Sequence, residues 1–186
     1  MGVQTFPQVL AVGKVDGPTL TAAAAASCIP TPEKLTLPNN YWYIGRTWRL
    51  TMHGRISTVI TTPGTARFDL RIGAVVAWDS QAILLDTVAG HTTMPWVLEV
   101  LLTCRAVGTG TSTQLFGVGK WSCEDILGTP ATSPKGSLVA MLPWNAAPAL
   151  GTGFDNTALN TVDVFFTQTA ATGSLTVHQY LLEELT

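Results

Sequence analysis

Residues 47–58 read Thr-Trp-Arg-Leu-Thr-Met-His-Gly-Arg-Ile-Ser-Thr. Trp48, Leu50, Met52 and Ile56 alternate with Arg49, Thr51, His53 and Arg55. Side chains on a strand point to opposite faces in turn, so this period of two places one face on a core and the other toward solvent. The same pattern recurs on both sides. Phe68, Leu70 and Ile72 alternate with Arg67, Asp69 and Arg71. Trp96, Leu98, Val100, Leu102 and Cys104 alternate with Val97, Glu99, Leu101, Thr103 and Arg105. Val162, Val164 and Phe166 alternate with Thr161, Asp163 and Phe165.

Working outward, Val75–Trp78 extends the second run past Gly73, where a bulge is expected. A short strand is expected near 82–86, and others over 113–124, 137–142 and 174–184. In 113–124, Phe116 and Val118 favour one inward face, and Leu115, Trp121 and Cys123 the other. Asn39-Asn40, Pro63-Gly64, Gly108-Thr109-Gly110-Thr111 and Thr172-Gly173 mark turns. Residues 125–136 and 143–156 read as loops, the second containing Trp144. About eight main strands with no strong helix and no internal repeat predict an all-β fold: a single antiparallel β-sandwich, jelly-roll-like. The inward set is Trp48, Leu50, Met52, Phe68, Leu70, Trp96, Leu98, Val100, Val162 and Val164. Residues 1–38, broken by Gly13, Gly17, Pro18, Pro30, Pro32 and Pro38, read as an extended N-terminal arm that contacts neighbouring subunits. Ala22–Ala26 has room for one helical turn. Residues 39–186 form the sandwich. The pattern leaves open whether the strand from Thr47 pairs with its successor or faces it across the sandwich.

Composition narrows the function. Only 12% of the 186 residues are charged, about half the usual share. Yet no stretch is long and apolar enough to span a membrane as a helix. An outer face made of Thr, Gly, Ala and Val is cheap to desolvate and suits packing against other subunits. The net charge of −2 exerts no global pull on nucleic acid or anionic membrane. Cys28, Cys104 and Cys123 are too few and too scattered for a disulfide framework or a zinc site, and read as small buried hydrophobes. At the N-terminus Phe6 breaks the myristoylation pattern, and 16–18 interrupt any signal-like run before Cys28.

No catalytic group stands out. There is no G-x-S-x-G elbow, and the glycines of 108–111 lack the lysine and helix of a phosphate loop. We expect no enzyme, cofactor or metal. Two constellations remain. Arg46, Arg49, Arg55, Arg67 and Arg71 stand against Asp69 alone in 46–71, a local net charge of +4. They are either a solvated face with local pairs or a basic patch that docks on an acidic neighbour. Tyr41, Trp42 and Tyr43 cannot all enter one core; with Trp144 they are a core edge, a subunit interface or a sugar-stacking platform.

Several segments carry a resemblance: 37–47, 54–59, 61–65, Leu102-Thr103-Cys104-Arg105-Ala106, Gly151-Thr152-Gly153-Phe154-Asp155 and the ending 175–185 with His178-Gln179-Tyr180. Over roughly residues 20–186 the chain resembles a family of small tailed-bacteriophage virion structural proteins. The resemblance implies a jelly-roll-like virion component, without enzymatic activity or cofactor. Two roles follow. One is a capsid decoration or minor capsid protein that binds and stabilises the head shell. The other is a tail-tip or fibre module contacting host-surface glycans. The expected partners are further copies of the chain, as a homotrimer, and the major capsid protein or another virion protein. Neither a membrane, a nucleic acid nor a small-molecule ligand is expected. The apolar outward residues Val97, Leu101 and Phe165 point the same way.

Overall fold

A computed structural model describes residues 6–185 apart from 61, 88 and 128–136, with the backbone alone at 125–127 and 137–138. Two antiparallel sheets face each other. The first runs in the order β1 (Gln8–Val12), β12 (Ser174–Glu184), β4 (Thr47–Thr58), β8 (His91–Ala106), β9 (Gln114–Leu127) and β10 (Ser137–Leu142). The second runs β2 (Ala25–Ser27), β11 (Asn160–Gln168), β5 (Thr65–Ile72) and β6 (Val75–Asp79). Beside them β3 (Leu35–Leu37) pairs with β11, and β7 (Ile83–Leu84) with β5. The described residues contain no α-helix, only a 3-10 turn at Thr31–Glu33.

The alternation decides which side chains are inside. All ten residues expected inward are at most 3% exposed. On β9 the odd face wins: Leu115, Trp121 and Cys123 are buried, while Phe116 and Val118 lie outside and half-buried. Phe68 holds the sheets together. Its ring lies 5.4 Å from Trp96, 5.2 Å from Trp121 and 5.2 Å from Phe166, so it contacts both layers. On β12 the alternation changes phase. Val177 pairs with Gly54 and Gln179 with His53, leaving His178 as the extra residue of a bulge. Leu175 and Val177 before it, and Tyr180 and Leu182 after it, therefore all face inward. Opposite the bulge stands Gly54, where any Cβ would collide with the Thr176 carbonyl and the Trp96 ring.

The strand from Thr47 faces its successor across the sandwich. β4 pairs with β12 and β8, whereas β5 belongs to the other sheet. Consecutive pairing does occur in β8–β9–β10 and in β5–β6. Three local expectations change. Gly73 has φ 61° and turns the β5–β6 hairpin rather than bulging a continuous strand. Ala25 and Ala26 extend into β2 instead of closing a helical turn. The loop expected over 125–136 begins later, since β9 runs to Leu127; its remainder, 128–136, lies outside the described residues.

The largest correction concerns residues 1–38. From Phe6 on, the described residues are not an arm standing off the core. β1 pairs with β12, Leu20 bridges Leu175, and the Gly13 and Gly17 amides donate to the Tyr180 and Val177 carbonyls. Cys28, Ile29 and Leu37 are core residues, 1%, 5% and 2% exposed. Burial of Cys28 also pushes its thiol well up, with Asp163 and Asp69 adding to the effect, so it stays protonated and unreactive. The segment reads as irregular because its prolines and glycines interrupt each strand after a few residues, and its pairing partners lie more than about 120 positions away. Deleting residues 1–20 is therefore expected to destabilise the domain. Loss of β1, the Leu20 bridge and the cover over Tyr180 should cost about 3 kcal/mol or more, lowering Tm by roughly 6 °C or more. Calorimetry checks this; an unchanged Tm would restore the free arm.

Candidate functional site

The two sheets send the sequence-selected arginines in different directions. Arg49 and Arg55 project from the outer face of β4, and Arg46 sits just before that strand. Arg67 and Arg71 project from β5, on the opposite side of the sandwich. The structure does not gather the five into one patch. Four have partners within the chain. Arg46 pairs with Glu184 at 3.1 Å and Arg49 with Glu183 at 2.9 Å. Arg67 grips Asp79 through two bonds, at 2.7 and 2.6 Å, and Arg71 holds Asp69 at 2.5 Å. Arg71 also lies 3.7 Å over the Phe165 ring and so covers that outward aromatic. Beside it Lys34 pairs with the buried Asp163 at 2.5 Å, and Ser27 donates to the same carboxylate. Arg55 is exposed and has no ion-pair partner among the described residues. The carboxylates of Glu183 and Glu184 thus serve arginines of their own chain.

Residues 41–43 divide as their geometry demands. Trp42 is buried, 4.2 Å from Trp48 and 6.0 Å from Phe154. Tyr41 is half-buried: it accepts from the Trp48 indole at 3.0 Å and donates to Glu184 at 2.5 Å. Tyr43 alone of the three is exposed. The Arg46 guanidinium stacks 3.9 Å from the Tyr41 ring and 4.4 Å from the Tyr43 ring, and donates to the Tyr41 carbonyl. The cluster is a core edge clamped by one arginine, with no open aromatic platform.

Two grooves that sequence reasoning missed flank the loop after β10. Along β9, β10 pairs with 119–127, while Leu150 bridges Phe116 and Phe154 bridges Thr113. Between those pairings the chain leaves the first sheet and crosses to the second, where the Trp144 amide donates to the Ser80 carbonyl at 2.7 Å. The first groove, about 610 Å³, lies on the outer face of the first sheet. Leu101, Val118, Met141 and Pro148 supply its apolar wall; Arg49, Glu99 and Lys120 supply charge already neutralised in pairs. Leu101 is 42% and Met141 69% exposed. The second groove, about 510 Å³, is lined by Thr65, Gln81, Leu84, Trp144 and Asn145. Ala146 lines both. Trp144 was the one usable signal in the sequence; the pairing gap on β9 leaves no periodic trace. Among the described residues no group of His, Cys, Asp or Glu is placed to hold a metal ion.

Two tyrosines predict a response to alkali. Burial raises Tyr41, helped by its bond to Glu184, well above the ordinary phenol range. Burial also pushes Tyr180 up to about 12; its hydroxyl donates to the Glu33 carbonyl at 2.6 Å. The unfolded chain loses these protons from about pH 10, while the folded chain keeps them. Their stabilising contribution is complete below that pH and falls as pH rises through the folded values. Urea midpoints should decline between about pH 9 and about pH 12, and Tyr41→Phe with Tyr180→Phe should flatten the decline. The same substitutions should cost about 1–3 kcal/mol each at neutral pH through lost buried bonds.

No family model matches the chain, and no curated protein matches it. Among solved structures it is similar to the CBM2 module of the evolved Dit of Lactobacillus casei BL23 phage J-1, with 8% identity, 82% of this chain and 69% of that chain covered. The TM-score is 0.29, too low a likeness to carry function across.

Proposed function

We propose that the chain is a non-enzymatic structural protein of a tailed-phage virion, a capsid decoration or minor capsid protein that packs on the head shell as an oligomer. The observation that carries this reading is the outer face of the first sheet. Val97, Leu101, Val118, Val139 and Met141 lie there exposed or half-buried, between ion pairs that already neutralise one another. Such a face loses little on desolvation and gains apolar burial, the balance that favours subunit contact. The resemblance of residues 20–186 to phage virion proteins supports the setting.

The alternative, a tail-tip or fibre module that uses the aromatics of 41–43 as a glycan platform, has less support. Trp42 is core, and Arg46 occupies the Tyr41 and Tyr43 rings. The pairing of four arginines also moves the docking energy from charge to apolar contact, with Arg55 as the cation available to an acidic partner.

Copy number tests the assignment. Quantitative mass spectrometry of purified virions should find a copy number comparable with that of the capsid subunit, and labelling should decorate the head. A handful of copies confined to the tail tip would reject it. Leu101→Glu with Met141→Glu should abolish incorporation while circular dichroism stays unchanged. Arg55→Glu should weaken incorporation only at low salt, since exposed charge is screened within about 10 Å at 0.1 M.

A further inference from the structure

We propose that the groove between Gln81 and Trp144 is a binding site for a neutral saccharide. The proposal is independent of the virion assignment. It starts from the tryptophans. Five of the six, Trp42, Trp48, Trp78, Trp96 and Trp121, are at most 4% exposed. Trp144 is the exception: it packs on the core edge yet remains partly open, and it lines the 510 Å³ groove. A partly exposed indole offers a flat apolar face with a donor at its edge, which suits a ligand that is apolar on one side and polar around its rim. The C–H face and ring of hydroxyls of a pyranose have that form.

The polar groups agree. Gln81 and Asn145 supply amides, each able to donate and accept, and Thr65 a hydroxyl. No lining residue carries a formal charge. The carboxylate of Asp79, bonded to the lining residue Gln81, is gripped by Arg67 and accepts from both the backbone and the side-chain amide of Gln81, at 2.8 and 3.2 Å. That contact holds the Gln81 side chain in place through its amide nitrogen, and among the described residues its carbonyl oxygen has no donor. The site is therefore neutral, largely apolar with amide and hydroxyl groups at its rim, and built in advance, which favours an uncharged polyol over an anion or cation.

The backbone is committed to this geometry. Gln81 has φ 64° and Asn145 φ 49°, left-handed conformations that cost a non-glycine residue energy. Fully buried Ser80 fixes both segments: its hydroxyl donates to the Gln81 carbonyl and its own carbonyl accepts from Trp144. Glycine would relieve the strain at both positions, yet side chains with amide groups stand there.

The strained positions also supply the test. Gln81→Gly and Asn145→Gly remove the amides while suiting the backbone, so neither should reduce Tm by unfolding a packed region. Acrylamide quenching reports on Trp144, since the other five indoles are shielded. The full chain should be titrated with soluble glucan, mannan, galactan and N-acetylhexosamine oligomers, and with a charged polyuronate and a proline-rich peptide as controls. At least one neutral saccharide is expected to protect Trp144. Trp144→Ala should weaken that binding about tenfold or more, Trp144→Phe less, and each glycine variant about threefold or more. Protection by none of the neutral saccharides, protection by the polyuronate or the peptide alone, or binding that survives in both glycine variants would overturn the proposal. Capsid labelling reads the virion assignment separately, so either can fail alone.

Discussion

The wedge of Phe68 between the sheets is the contact on which the rest depends. A sandwich has two apolar faces and no covalent tie between them, and the three cysteines here are all free. The layers stay together only while the intervening side chains fill the gap at interior density. Phe68 meets Trp96 and Trp121 from one sheet and Phe166 from its own. Truncating such a ring costs about 3–5 kcal/mol, a large part of the net stability of an ordinary domain. Its backbone matters equally. The Phe68 amide donates to the Ser80 hydroxyl oxygen at 2.8 Å, and Ser80 in turn anchors Gln81 and Trp144. One buried serine thus joins the core wedge to the rim of the second groove, so the rim inherits the rigidity of the core.

Scarcity of charge has a second consequence. Most of the chain's charged groups on regular strands are spent on internal pairs: Arg49 with Glu183, Arg67 with Asp79, Arg71 with Asp69, Glu99 with Lys120. The exposed pair of Glu99 with Lys120 adds little stability, about 0–1 kcal/mol. The effect of such pairs is on the surface potential. Arg49 with Glu183 and Glu99 with Lys120 leave the outer face of the first sheet electrically quiet, so a partner meets apolar and hydroxyl groups rather than a field. A face of this kind packs through contacts that salt does not weaken.

The fold was legible where one face is wet and the other dry. β4, β5, β8 and β11 show that contrast, and their inward residues were all identifiable. The pattern failed where burial does not alternate. β1 has both faces partly exposed, and its pairing with β12 is set by partners at the far end of the chain. β12 conceals its bulge at His178, because a shift of one residue reverses the faces of everything after it. The arginines illustrate a different limit. Arg49 and Arg55 are close in sequence to Arg67 and Arg71, but the turn between β4 and β5 also changes sheets. Proximity along the chain becomes opposition across the molecule. Composition could reveal an excess of arginine in 46–71, but not its distribution over two faces.

The grooves expose the same limit at a site. Neither comes from a motif; both come from a gap in pairing. β9 is longer than β10, and the 150–154 segment returns to it further along, so the intervening residues must leave the sheet. Having left, they cross to the second sheet because the Ser80 carbonyl there accepts the Trp144 amide. A backbone excursion of this kind costs ordering entropy and offers few apolar contacts in return. It also leaves an indole partly exposed and coincides with left-handed backbone at Asn145 and Gln81. Stability alone favours glycine at those two positions. That each position resists the cheaper choice, within one groove and around one buried serine, is the physical ground for assigning the loop a role beyond connecting strands.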